Sequence, residues 1–154
     1  AGKTPPADTT GGSTATTSAP APDETTDPVS SLVKYVPDTI AGYSAQGIIA
    51  DPASITRNYL PTSGNADQLV IFAEQAVDAK NAASMVDALK QQYPTSGGSV
   101  TIGSKTGYFG TRDGYAVVIF VDGPIVISVE LHAKTGKASD LKTAAVKVAT
   151  SIGG

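Results

Sequence analysis

Apolar residues recur along this chain with two spacings, one typical of helices and the other of strands. Helical spacing predicts a short helix that begins at Asp27-Pro28 and ends at Pro37, followed later by two longer helices. Asp78 is the expected N-cap of the first longer helix. The apolar positions of the longer helices are Ala82, Met85, Val86, Leu89 and Tyr93 in one and Leu141, Ala144, Ala145, Val148 and Ile152 in the other.

Strand-like segments fill most of the remaining sequence after the short helix. They are Tyr43–Ala50, Ser54–Leu60, Gln68–Gln75, Ser99–Ser104, Gly107–Thr111, Tyr115–Val121 and Ile125–Leu131. Asp113-Gly114 and Asp122-Gly123 are tight-turn signals between the last three strands. Short turns favour an antiparallel sheet. The predicted fold class is therefore α+β, a two-layer sandwich with helices on one face of a mostly antiparallel sheet.

The two halves of this region, 40–97 and 98–154, resemble each other. When the sequence is aligned with itself at a shift of 56 positions, Leu69-Val70-Ile71 aligns with Ile125-Val126-Ile127. With one gap before this segment, Arg57 aligns with Arg112 and Tyr59 with Tyr115. Any two strand–helix units share apolar positions, which explains part of the match. The hypothesis is an internal repeat, in which two duplicated β-β-(β)-α units share one sheet.

Residues 1–28 differ in composition from everything that follows. They contain eight Thr and five Pro, and no aliphatic residue larger than Ala. Such a segment cannot bury enough surface to fold by itself. We therefore expect a Thr/Pro-rich arm or linker at 1–28, disordered or extended, and a single α+β domain at 29–154. The arm is interpreted either as a solvated, O-glycosylated spacer or as an assembly arm that orders on a neighbouring subunit.

Charge, cysteine content and hydrophobicity argue against several classes of partner and site. The net charge of −3 comes from the arm, because residues 29–154 hold ten bases and ten acids, with only two arginines. Nucleic-acid binding is therefore not expected. The absence of cysteine removes disulfides, thiolate nucleophiles and thiolate metal sites. No run of about 18 apolar residues occurs, so no transmembrane segment is predicted.

The sequence contains few residues that are candidates for catalysis. His132 is the single histidine, and no nucleophile elbow accompanies it. We interpret His132 as a solvated residue at a strand end. Glu74 and Glu130 occupy matching positions, but exposed strand charges that discourage aggregation explain them equally well. We predict no enzyme, no catalytic residues, no metal and no cofactor.

Four residues are candidates for ligand or partner contact. Arg57 and Arg112 are matched in the two halves, and each is followed by Asn or Asp, so together they could form a fork for a carboxylate or phosphate. Tyr59 and Tyr115 could supply a sugar- or protein-binding platform on an open sheet face. The alternative is that the arginines lead into turns and the tyrosines pack in the core.

Together these patterns predict a non-catalytic protein that is secreted or held at the cell surface. The first residue is Ala rather than Met, which fits a mature product after removal of a signal peptide. The expected activity is protein–protein contact, through self-assembly or with another surface protein, and its most specific form is a subunit of an extracellular filament or layer. The alternative function is a tethered extracellular module that binds a ligand or glycan.

Overall fold

The computed structural model describes residues 28–153, so the predicted arm, apart from Pro28, lies outside the described residues. The helices are α1 (Pro28–Leu32), α2 (Ala79–Gln92) and α3 (Lys142–Gly153), with 3-10 turns at Val33–Tyr35 and Ala138–Leu141. The strands are β1 (Thr39–Ile40), β2 (Tyr43–Asp51), β3 (Ser54–Pro61), β4 (Ala66–Gln75), β5 (Thr95–Ile102), β6 (Lys105–Arg112), β7 (Tyr115–Asp122) and β8 (Ile125–Ala133). None of these helices is long and apolar enough to cross a membrane.

The eight strands form one antiparallel sheet in the order β1-β2-β3-β4-β8-β7-β6-β5. Strands β4 and β8 form the central pair, in which Ile71 lies opposite Val129. The α+β class and the antiparallel sheet predicted from the sequence are confirmed. Strand β1 is two residues long, and the sequence pattern did not predict it.

Local signals at helix starts and turns hold in the structure. The Asp78 side chain accepts a hydrogen bond from the Asn81 backbone N–H at 2.8 Å, as an N-cap does. Asp113 and Gly114 join β6 to β7 with positive φ angles of 51° and 86°. Glycine tolerates this geometry without steric cost, and aspartate tolerates it better than most residues, so the Asp-Gly pair marks the turn.

Side chains alternate between the two faces of the sheet, named face A and face B. In β4, Ile71 points to face A and its neighbour Phe72 to face B. Helices α1 and α3 cover face A and bury the main core there. The residues of this core that come from α1, α3 and the two 3-10 turns include Leu32, Tyr35, Leu141, Ala145, Val148 and Ala149.

Helix α2 covers part of face B instead. Its Ala82 is buried with Val117, Ile119 and Val126, and these positions alternate along the strands with those of the main core. The prediction that the helices lie on one face of a two-layer sandwich is therefore wrong, because α2 and α3 lie on opposite faces. The physical reason lies in β7, where the uninterrupted apolar run is buried on both sides.

The strand register does not confirm an internal repeat. Arg57 pairs with Ile71, and the 56-position shift relates Ile71 to Ile127, which pairs with Phe120. If β4 and β8 corresponded, Arg57 would therefore match Phe120 and not Arg112. The two helices, on opposite faces, break the expected symmetry as well.

Candidate functional site

Arg57 and Tyr59, two of the four predicted contact residues, lie on face A and hold the segment that follows α1. The Arg57 guanidinium donates to the Val36 carbonyl at 3.0 Å and to the Asp38 carboxylate at 2.7 Å. The hydroxyl of Tyr59, which is fully buried, donates to the Pro37 carbonyl at 2.8 Å. Burial raises the pKa of Tyr59 to about 12, so the hydroxyl stays protonated as a donor.

Arg112 and Tyr115 lie on the other side of the sheet. They face each other across the β6–β7 turn, on face B. The structure therefore brings these two together and separates them from Arg57 and Tyr59 by the thickness of the sheet. Their contact with a ligand or partner stays a prediction, as does that of Arg57 and Tyr59.

A cluster of aromatic and charged side chains surrounds Arg112 and Tyr115 on face B. Tyr93, at the end of α2, is 7% exposed, and its hydroxyl donates to the Glu130 carboxylate. The Arg112 guanidinium lies 5.0 Å from the centre of the Tyr93 ring, within range for a cation–π contact. Burial, reinforced by the bond to Glu130, raises the pKa of Tyr93. Tyr93 therefore remains a neutral donor to Glu130 over the physiological pH range.

His132 adds a second pair to this cluster. Its Nδ1 lies 2.8 Å from the Asp67 carboxylate, and its ring lies 4.5 Å from the Tyr115 ring between centroids. The sequence predicts a solvated residue at a strand end, and the structure places His132 near the end of β8 with two side-chain partners. Both come from neighbouring strands, since β8 pairs with β4 and β7 here. The register that joins them had no local signal in the sequence.

Gly110 sets the position of Tyr93. The Tyr108 hydroxyl donates to the Tyr93 carbonyl at 2.8 Å. A Cβ atom added at Gly110 would lie 2.1 Å from that same carbonyl oxygen, much closer than any real contact. The absence of a side chain at Gly110 therefore lets the end of α2 approach the sheet, which places Tyr93 over face B.

Beside this cluster, part of face B has no helix packed over it among residues 28–153. Helix α2 contacts mainly β6, β7 and β8, so the face B side chains of β3 and β4 remain half-buried or exposed. We call this surface the open half of face B, and its residues are Thr56, Asn58, Leu60, Gln68, Val70 and Phe72. Leu60 is 51% exposed. The open half and the cluster together form one continuous surface of apolar, aromatic and charged groups.

The chemistry of this surface is that of binding groups held in place by packing. Arg112 offers a guanidinium fork, and Glu130, Asp67 and His132 offer further polar partners. Within residues 28–153, no group of three or more His, Asp or Glu side chains is arranged to hold a metal ion.

Comparison with protein-family models and with curated proteins gave no match. Among solved structures, the chain is similar in fold to a GTP binding regulator from Thermotoga maritima. The TM-score is 0.52 at 8% sequence identity, and the match covers 80% of this chain and 84% of that chain. At this identity the likeness shows a shared fold alone.

Proposed function

We propose that this chain is a non-catalytic, exported cell-surface protein that acts through protein–protein contacts made by the open half of face B and the adjoining cluster. The observation that supports the proposal is that a sheet face is covered by α2 over only part of its width. Within residues 28–153, the part that α2 does not cover presents Leu60 near the end of β3, and Val70 and Phe72 along β4 opposite the polar Asn58 and Thr56. Exposed apolar patches with a polar border are typical of interaction sites.

The composition of this surface favours a protein partner. Tyrosine, phenylalanine and arginine are enriched at the centres of protein interfaces, and such residues supply most of the binding energy. Tyr93 holds Arg112 by a cation–π contact and Glu130 by a hydrogen bond, so less conformational entropy is lost on binding. Asp67 and His132 lie beside Gln68 at one border, where the Asp67 carboxylate would help to set the orientation and association rate of a partner.

The composition of residues 1–28 supports the exported location. A segment rich in Thr, Pro, Ser and Ala suits a spacer that holds the domain away from a membrane or wall. In its most specific form the proposal makes the chain a subunit of an extracellular filament or layer.

A second function, a tethered module for a ligand or glycan, draws support from one part of the same surface. The Tyr115 and His132 rings lie beside each other, and Arg112 adjoins Tyr115 across the turn. Aromatic faces next to polar side chains can hold a sugar ring by stacking and hydrogen bonding.

Site-specific photo-crosslinking in the native host tests the first function against the second. A photoreactive residue would replace Leu60 in the open half, or Val33, which is 44% exposed on the turn after α1 and serves as the matched control. We expect a discrete protein adduct from position 60 and none from position 33. The adduct should weaken when Arg112→Ala is added.

Two outcomes would overturn the proposal in different ways. Equal labelling from both positions would mean that the open half has no specific protein partner. Binding of the purified chain to an immobilised glycan, lost in both Arg112→Ala and Tyr115→Ala, with no adduct at position 60, would favour the ligand-binding function. The exported location is tested by adding protease to intact cells, which should degrade the chain if it lies at the surface.

A further inference from the structure

Strand β2 has an edge that is mostly unpaired. On its outer side, β1 pairs with Tyr43 and Ser44 alone. From Ala45 to Asp51, no strand within residues 28–153 pairs with this edge. Unpaired backbone N–H and C=O groups on an edge are a template for another strand.

The side chains of this edge are apolar on both faces. Ile48 pairs with Arg57 and points to face A, whereas Ile49 pairs with Thr56 and points to face B. Ile48 is 42% exposed and Ile49 is 58% exposed. A molecule that docked on one face would cover one of the two isoleucines. A strand added at the edge would bring neighbours to both, so the exposure pattern favours pairing by a strand.

The opposite edge of the sheet, strand β5, differs in this respect. Its face A residues Val100 and Ile102 are already buried, and Ser99 and Thr101 are polar. It therefore has no large apolar side chain that an added strand would cover. Edge strands in natural proteins are commonly protected by lysine or proline. The segment from Ala45 to Asp51 contains neither, and its single charge is Asp51.

We propose that β2 pairs antiparallel with β2 of a second copy of this chain, centred on Ile49, so that the sheet continues across a twofold axis. Residues on the same face then oppose each other, which sets Ile49 against Ile49 of the second copy. Ile48 lies opposite Ala50, both on face A, and Asp51 lies opposite Gly47. No two like charges are opposed between positions 47 and 51, so the edge is complementary to itself.

This pairing goes beyond the proposed function, because it names a second copy as partner and uses the β2 edge instead of the open half. A closed twofold interface is the commonest form of self-association. The two proposals can therefore fail separately. Loss of the dimer would leave crosslinking at Leu60 unchanged, and loss of that crosslink would leave the dimer intact.

Sedimentation of the full chain over a range of concentrations tests the dimer. We expect a reversible monomer–dimer equilibrium whose dissociation constant rises about tenfold or more in Ile49→Lys, because two ammonium groups would face each other across the axis. The matched control is Val77→Lys, because Val77 is 90% exposed and lies off the edge, in the connection before α2. A single monomeric species at all concentrations, or equal effects of both lysines, would overturn the proposal.

Cysteine scanning tests the register and the choice of edge. The chain has no cysteine, so each variant carries one thiol and no competing disulfide. Under mild oxidation, Ile49→Cys should form disulfide-linked dimers faster than Val77→Cys, because paired Cβ atoms on a sheet lie close together. A mixture of the Ile49→Cys and Thr101→Cys variants tests the other edge. If the mixed disulfide between the two variants formed as fast as the disulfide between two Ile49→Cys chains, pairing of β2 with β5 would replace the twofold arrangement.

Discussion

The two faces of the sheet are built from the same strands, yet they are completed differently. On face A, α1 and α3 enclose a core in which Ile71 and Leu131 are fully buried. On face B, α2 covers one half, and Phe72, which follows Ile71 in β4, is half-buried with no helix of residues 28–153 packed over it. Face A therefore holds the main core, while face B combines a smaller core under α2 with half-buried apolar groups beside it.

Each face also has a tyrosine that donates to a carboxylate. On face A, the Tyr35 hydroxyl donates to Asp122 at 2.6 Å and attaches the turn after α1 to β7. On face B, the hydroxyl of Tyr93, at the end of α2, donates to the Glu130 carboxylate on β8. The same type of hydrogen bond therefore attaches a helical segment to each face of the sheet. The difference is that the Tyr93–Glu130 bond on face B lies beside the open half.

The largest expected difference between the faces comes from removing one phenylalanine ring on each. Phe120 is 2% exposed on face A, and Phe120→Ala should lower the free energy of unfolding by about 3–5 kcal/mol, since a large buried side chain leaves a cavity. Phe72→Ala should cost about 1 kcal/mol or less, because the ring is only half-buried. Urea unfolding of both variants measures the difference. Similar losses would mean that face B is as tightly closed as face A.

The second prediction removes the two tyrosine hydroxyls. Tyr93→Phe leaves the half-buried Glu130 carboxylate without its donor, and we expect a loss of about 1–3 kcal/mol in the free energy of unfolding. Tyr35→Phe should cost a similar amount through Asp122. The Leu60 photo-crosslink separates the faces, because it should weaken in Tyr93→Phe and persist in Tyr35→Phe. Equal weakening in both would show that stability, and not the cluster, governs the contact.

The third prediction concerns alkaline pH. Burial, together with the bonds to carboxylates, raises the pKa of Tyr35 and Tyr93, and burial raises that of Tyr59 to about 12. The unfolded chain loses these protons near the ordinary tyrosine pKa of about 10, whereas the folded chain retains them. The stabilising contribution is therefore complete below about pH 10 and is lost as the pH rises through the folded pKa values.

Stability measured by urea unfolding should fall steadily as the pH is raised above about 10. Each tyrosine with a raised pKa contributes up to about 1.4 kcal/mol for each pH unit in this range. Tyr93→Phe and Tyr35→Phe should each make the decline shallower by one tyrosine. An unchanged slope in Tyr93→Phe would show that its hydroxyl ionises as readily in the folded chain as in the unfolded one.

The sequence predicted the strands and helices well because their signals are local. Asp78 caps α2, and Asp113-Gly114 turns β6 into β7, as their residue types require. The placement of the helices was missed, although Val117–Phe120 is an apolar run without alternation. Such a run requires cover on both faces, and this requirement contradicts a two-layer sandwich.

The candidate site was predicted only in part, because some of its contacts are local in sequence and others are not. Arg112 and Tyr115 adjoin each other in sequence around a turn, so their proximity followed from the turn signal. Glu130 and His132 share β8, but their partners Tyr93, at the end of α2, and Asp67, on β4, come from other elements, which helix packing and strand register bring to β8. Register depends on burial across the whole sheet, and no single segment encodes it.

The smallest expected effect concerns two exposed side-chain contacts to aspartate, one on each face. The side chains of His132 and Asp67 on face B are 34% and 44% exposed, and Asp38, the partner of Arg57 on face A, is 89% exposed. Because water screens exposed charges, Asp67→Asn and Asp38→Asn should each change the free energy of unfolding by about 0.5 kcal/mol or less.

Crosslinking from position 60 distinguishes the Asp67→Asn and Asp38→Asn variants, which stability measurements do not. If the surface of face B serves a partner, Asp67→Asn should reduce the adduct, because Asp67 orients His132 beside Tyr115, whereas Asp38→Asn should leave it unchanged. Since neither substitution alters stability appreciably, a difference between them cannot arise from unfolding. Equal adducts in both variants would place the His132–Asp67 pair outside the contact and restrict the surface to the open half and Arg112.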